Sequence, residues 1–259
     1  MDGHAPLPRI VVVQQAPEEP LGALEPVLSA GAELMRIDWS HGLPEAEMDA
    51  MASVDALLED PDYDGLVVLG GSMGAYDRQE YASIEYSLRL LSDALRREVP
   101  ILGLGLGSQL LAESLGSRVY VGSNQGLPRE VGFVPIYVTK VGAYDPVMRI
   151  FAVSDPQLFW HQDTHEVPVD AAHLAATAVY NMAAFRWGRW AYGLQFHAEA
   201  SADMIEEWAR EEGDLLAAQG VDCDRLIAQA WMFDDAIRER ADRLAALFLE
   251  WARERCPRL

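Results

Sequence analysis

The stretch from Pro100 to Glu113, Pro-Ile-Leu-Gly-Leu-Gly-Leu-Gly-Ser-Gln-Leu-Leu-Ala-Glu, changes its hydrophobic period in mid-course. Ile101 and Leu102 form an apolar run behind Pro100, as a buried strand requires, whereas Leu110, Leu111 and Leu115 recur at helical spacing. The switch falls inside Gly103-Leu104-Gly105-Leu106-Gly107, so the segment reads as strand, sharp glycine turn and helix. In outline this is a nucleophile elbow, G-x-Nu-x-G. Such a turn holds its central residue at a strained backbone position, and its glycines let strand and helix approach closely. The central residue here is Gly105, which brings no side chain.

The flanking sequence repeats the strand-helix alternation. Arg9 to Gln14 is a short β-branched run that suits a first buried parallel strand, and Leu21, Leu24, Val27 and Leu28 then recur at helical spacing up to Gly31. Leu34 to Ile37 predicts a second strand, Met48 to Leu58 a helix, Gly65 to Leu69 a third strand ending at Gly70-Gly71, and Tyr81 to Arg97 a helix. This order predicts an α/β fold, an open and mostly parallel sheet with helices on both faces. After Tyr120 short strand candidates crowd together: Val134 to Thr139, Gln157 to Trp160, Leu174 to Tyr180, Ala183 to Trp187 and Tyr192 to Phe196. They predict a more antiparallel extension of the sheet. From Ser201 onward the pattern is helical, with Leu244, Leu247, Leu249 and Trp251 marking a final helix whose stripe packs on the sheet. The division expected is an α/β domain over residues 1–200 and a helical extension over 201–259 packed on it.

Charge narrows the partners. The 259 residues carry 41 acidic against 20 basic side chains, a formal charge of −21, whereas phosphate binding needs clustered lysine and arginine. Neither nucleic acid nor a membrane surface is expected as a partner. Cys223 and Cys256 make no disulfide framework, and the start Met-Asp-Gly-His-Ala-Pro lacks the basic and apolar regions of a secretory leader. The expected location is the cytoplasm. No cofactor is expected: Gly103 to Ser108 imitates a dinucleotide fingerprint, but Ser108 holds the third glycine position and no acidic residue stands about 20 residues beyond Gly103. His161, Asp163 and His165 are metal-capable, yet no second ligand cluster accompanies them, so no metal is expected.

Three loops fall where parallel strands end: Gly70-Gly71-Ser72-Met73-Gly74, the turn at Gly105, and Gln195-Phe196-His197-Ala198-Glu199. Open α/β sheets bind ligands at the carboxyl ends of their strands. A histidine and a glutamate two residues apart can set an imidazole over a nucleophile with a carboxylate orienting it, and N–H groups at Gly71 and Leu106 can form an oxyanion hole. Ser108, about one helical turn beyond the elbow's apex, is expected to point along the helix start rather than into the site.

Several segments together resemble the class I, triad-type glutamine amidotransferases, and especially stand-alone members similar to the amidotransferase domain of GMP synthase. They are Leu66 to Gly74, with Ser72 where proline is usual; Pro100 to Ala112; Glu130 to Phe133; Trp160 to Thr164; and Tyr192 to Glu199, with Ala198 replacing a common proline. The resemblance implies a flavodoxin-like sheet. It also implies a cysteine thiolate at the position of Gly105, proton relay by His197, orientation by Glu199, oxyanion N–H groups from Gly71 and Leu106, and Gln109 near bound glutamine. Three functions follow. In the first, thiol-dependent glutaminase activity is absent and a pocket for glutamine or a γ-glutamyl compound serves binding or regulation, with a synthetase partner acting in trans. In the second, His197 and Glu199 perform non-covalent acid/base chemistry on another small substrate. In the third, the chain is an active amidotransferase or γ-glutamyl hydrolase whose cysteine has been substituted at position 105.

Overall fold

A computed structural model describes residues 6–39, 43–151 and 156–256; the leader-free reading of the first residues concerns 1–5, outside that range, and Pro6. The first half alternates as the apolar runs dictate: β1 (Arg9–Gln14), α1 (Glu25–Gly31), β2 (Glu33–Asp38), α2 (Pro44–Glu59), β3 (Gly65–Val68), α3 (Ala82–Arg96), β4 (Ile101–Leu104) and α4 (Leu106–Ser114). The second half contributes β5 (Val119–Val121), β6 (Glu130–Val134), β7 (Tyr137–Val138), α5 (Met148–Phe151), β8 (Gln157–His161), β9 (Asp163–His165), β10 (Ala172–Ala176), β11 (Ala184–Trp187) and β12 (Ala191–Leu194). Three helices close the described chain: α6 (Ala202–Glu211), α7 (Gly213–Ala218) and α8 (Cys223–Arg255).

The main sheet has eight strands in the order β2-β1-β3-β4-β12-β11-β10-β7. From β2 to β12 all pairings are parallel, and from β12 to β7 they are antiparallel. Successive side chains of a strand face opposite sides of the sheet, and both sides are covered. Ile10, Val12, Val67 and Leu102 share one core with Leu244, Phe248 and Leu249 of α8. Val11, Val13, Leu66 and Val68 share the other with Val54, Leu91 and Leu110 from α2, α3 and α4. Trp251 stacks on Tyr192 of β12, with ring centroids 5.2 Å apart. The α/β sheet covered on both faces agrees with the expectation from the sequence.

Four local expectations are corrected. The strand expected over Val134 to Thr139 is two, β6 and β7, because Pro135 between them has no N–H to donate to a ladder. β6 pairs with β8, and β5 with β9, in separate two-stranded sheets, so these segments do not extend the main sheet. The strand expected to run to Tyr180 stops at Ala176: the Thr177 hydroxyl accepts from the N–H groups of Val179 and Tyr180 and turns the chain. Gly22 to Leu24 form a short 3-10 turn ahead of α1, where one continuous helix was expected.

Candidate functional site

Gly105 joins β4 to α4 with φ +53° and ψ −115°, a conformation L side chains rarely adopt. Its N–H donates to the carbonyl of Leu194 in the neighbouring strand at 2.9 Å, which fixes the turn to the end of β12. Gly107 lets the helix lie on the end of β3: a Cβ there would stand 2.0 Å from the Val68 carbonyl oxygen. A Cβ at Gly105 would stand 3.2 Å from Cε1 and 3.5 Å from Nε2 of His197. The position is thus the seat of a side chain that would touch the imidazole.

His197 and Glu199 follow β12, which is parallel to β4, so the two strands deliver turn and imidazole at one end of the sheet. His197 Nδ1 donates to Glu199 Oε1 at 2.7 Å, and the ring meets Trp208 edge-on at 5.1 Å. Both side chains of the pair are buried. Burial opposes charge on His197, but the Glu199 carboxylate, its hydrogen bond and the nearby Glu19 outweigh that and raise its pKa.

Gly71, after β3, and Leu106, the first residue of α4, line the same cavity as Gly105 and His197. The Leu106 N–H has no acceptor within its own helix, as at any helix start. Gln109 also lines the cavity, its Nε2 donating to the carbonyl of Asp163 at 3.3 Å and to Gln195 Oε1 at 3.2 Å. The cavity encloses about 520 Å³ and is walled by Trp160 and Trp208. All six residues singled out at the site therefore border or adjoin one cavity, with Glu199 behind His197.

Ser108 points away from it, as expected: its buried hydroxyl lies 3.4 Å from His165 Nε2. Burial lowers the His165 pKa to about 4. His161 and Asp163 do line the cavity, with the His161 ring held between Glu130 Oε2 at 3.1 Å and the Asp163 carbonyl at 2.9 Å. The stretch from His161 to His165 therefore spreads its side chains over different partners.

One residue escaped the sequence reading. Glu19, in the loop after β1, places a carboxylate near His197 and Glu199, one atom from each of the three lying within 4.8 Å of the others. Burial raises its pKa to about 7; His197 opposes the shift and Glu199 adds to it. The signal was available, because β1 is a parallel strand whose carboxyl end belongs to the same ligand-binding edge as the three loops considered.

With this geometry the comparisons are consistent. The family model for glutamine amidotransferase class-I matches residues 45–207. The chain belongs to the class-I glutamine amidotransferase family. The amidotransferase match includes the turn at Gly105 and the His197-Glu199 loop. The chain is 29% identical over 178 residues to the glutamine amidotransferase-like protein YfeJ of Salmonella typhimurium, covering 66% of this chain and 73% of that protein. It is 31% identical over 139 residues to the glutamine-hydrolyzing GMP synthase of Pediococcus pentosaceus, a match that takes in 52% of this chain but only 24% of the synthase. The crystal structure of a glutamine amidotransferase from Thermotoga maritima superposes with a TM-score of 0.76 at 25% identity, covering 95% of this chain and 100% of that one. Among the described residues no helix is long and apolar enough to cross a membrane.

Proposed function

We propose that this amidotransferase-family chain does not process glutamine through a thioester and that its cavity serves to bind a glutamine-like or γ-glutamyl ligand. The observation that carries the reading is the seat at Gly105. A side chain there would meet His197 Nε2 at about van der Waals distance, with Glu199 orienting the far side of the ring, yet glycine supplies no nucleophile. Under this reading Gly105 stands where a cysteine served, Gly71 and Leu106 present N–H groups toward a carbonyl oxygen, and Gln109 flanks the ligand. The binding chain would work with a synthetase or similar partner in trans, and its helical segment from residue 201 belongs to the same unit.

The test is glutamate release from glutamine by the chain and by Gly105→Cys. No release from the chain, and release from the cysteine variant that disappears in Gly105→Cys/His197→Ala, is the expected result. Glutamine hydrolysis by the unmodified chain would overturn the reading. Glu19, with its carboxyl held near neutrality beside His197, favours a second reading in which acid/base chemistry proceeds without a covalent step. Turnover of a γ-glutamyl amide by the unmodified chain, lost in His197→Ala, would establish that alternative.

A further inference from the structure

Two stretches in the second half of the chain are nearly free of acidic residues. Val131 to Phe151 holds only Asp145, and Ala171 to Ala198 holds no aspartate or glutamate at all. Asp145 is buried, its carboxylate accepting from Arg186 Nε at 3.0 Å, the Tyr192 hydroxyl at 3.2 Å and the Val147 N–H at 2.9 Å, so its charge is met inside the fold. Folding brings the two stretches together, because they supply β12, β11, β10 and β7, the antiparallel half of the main sheet. A chain with a formal charge of −21 thus ends its sheet in strands that expose no carboxylate.

This edge is apolar as well. Tyr137, Val141, Tyr144 and Val179 are all exposed, Tyr144 by 79%. Ala176 of β10 is the register partner of Tyr137, so the turn that carries Val179 starts beside β7. Hydrogen bonds fix the patch in place. The Thr139 N–H donates to the Leu174 carbonyl at 2.9 Å, its hydroxyl to the His173 carbonyl at 2.8 Å, and the Gly142 N–H to that hydroxyl at 3.0 Å. A Cβ at residue 142 would stand 2.2 Å from the Leu174 carbonyl oxygen, so glycine lets the 3-10 turn Gly142–Tyr144 sit directly on β10. An apolar patch ordered in advance loses little freedom on contact. The opposite edge is built differently: β2 exposes Glu33, Arg36 and Asp38, with Arg36 paired to Glu25 and Arg9 lying 3.7 Å from Glu33. Charged side chains are the ordinary protection of a sheet edge. β7 pairs with β10 alone among the described residues, and nearby Lys140 is the single lysine of the sequence.

We infer that the β7 edge is the face through which two copies of this chain associate, in an isologous contact around Tyr137, Val141 and Tyr144. Two bodies of charge −21 repel each other, and like charges set face to face oppose contact. At this edge two copies meet without placing carboxylate against carboxylate. Its few charges, exposed Lys140 and Arg149 within one stretch and Asp170 just outside the other, leave it close to neutral, which suits a copy of itself better than a strongly acidic partner. None of these residues lines the cavity beside Gly105, so the inference is independent of what the cavity binds.

The test is sedimentation velocity of the full chain at about 50 µM, a concentration at which a contact of low-micromolar affinity is mostly dimeric. The chain should sediment as a dimer. Val141→Glu and Tyr144→Glu, each of which sets a carboxylate against its copy, should each weaken association by at least about tenfold. Met232→Glu adds the same charge at an apolar α8 position that is 67% exposed, and should leave association unchanged. Matching far-ultraviolet circular dichroism would establish that each variant is folded. A monomer at this concentration would overturn the inference and leave Lys140 as a guard of the edge. A dimer that survives both edge substitutions, or equal weakening by Met232→Glu, would overturn it as well.

Discussion

At Glu19 burial works against charge. The folded protein holds a proton there up to about pH 7, whereas a solvated glutamate releases it near 4.5. Between these values the folded state binds more protons than the unfolded one, so this residue makes stability fall as pH rises. Above about pH 7 the full penalty applies. Glu19→Gln removes it and should raise stability at pH 8 by on the order of 1–3 kcal/mol, with little gain at pH 4. Urea melts at the two pH values check this; equal effects at both would contradict it. Gly105 shows the opposite economy. Its φ of +53° suits glycine, and a Cβ there comes within 3.2 Å of the His197 ring. Gly105→Ala should therefore cost about 1–2 kcal/mol in the same melts, and no loss would mean the turn relaxes without strain.

At the scale of elements, α8 is the long support of one sheet face. Asp222 caps it, accepting from the Arg225 N–H at 3.0 Å, so Asp222→Ala should cost about 1 kcal/mol. Phe248 is fully buried against the sheet, and Phe248→Ala should cost about 3–5 kcal/mol by the same measurement. Other elements show what the sequence made legible. The run Arg9 to Gln14 and the period change at Gly105 each identified an element, because a buried parallel strand is wholly apolar and an amphipathic helix is not. The second half was less readable. β5 is only 3 residues and β7 only 2, too short to show any period. Whether β6 pairs with β8 or with the main sheet depends on contacts between distant segments that local pattern does not encode. Glu19 carried a weaker signal: the elbow and the His197-Glu199 pair have local spacing, whereas a glutamate in an irregular loop is marked only by its place after a parallel strand at the ligand-binding edge.

For the molecule as a whole, the formal charge of −21 is a source of self-repulsion. Salt screens it over a Debye length of about 10 Å at 0.1 M, so the melting temperature should rise between 20 and 200 mM sodium chloride. A falling curve would indicate that the ion pairs lost to screening outweigh the repulsion relieved, and a flat one that the two cancel. The sheet order has a different consequence. β12 is the last strand in the chain yet lies between β4 and β11, and its Leu194 carbonyl receives the Gly105 N–H. During synthesis, the turn at Gly105 leaves the ribosome some ninety residues ahead of the histidine that faces it. A nascent chain can form its first strands early, but the pocket floor closes only after the ribosome has moved well past residue 200. A chain interrupted before β12 therefore has the elbow and nothing opposite it.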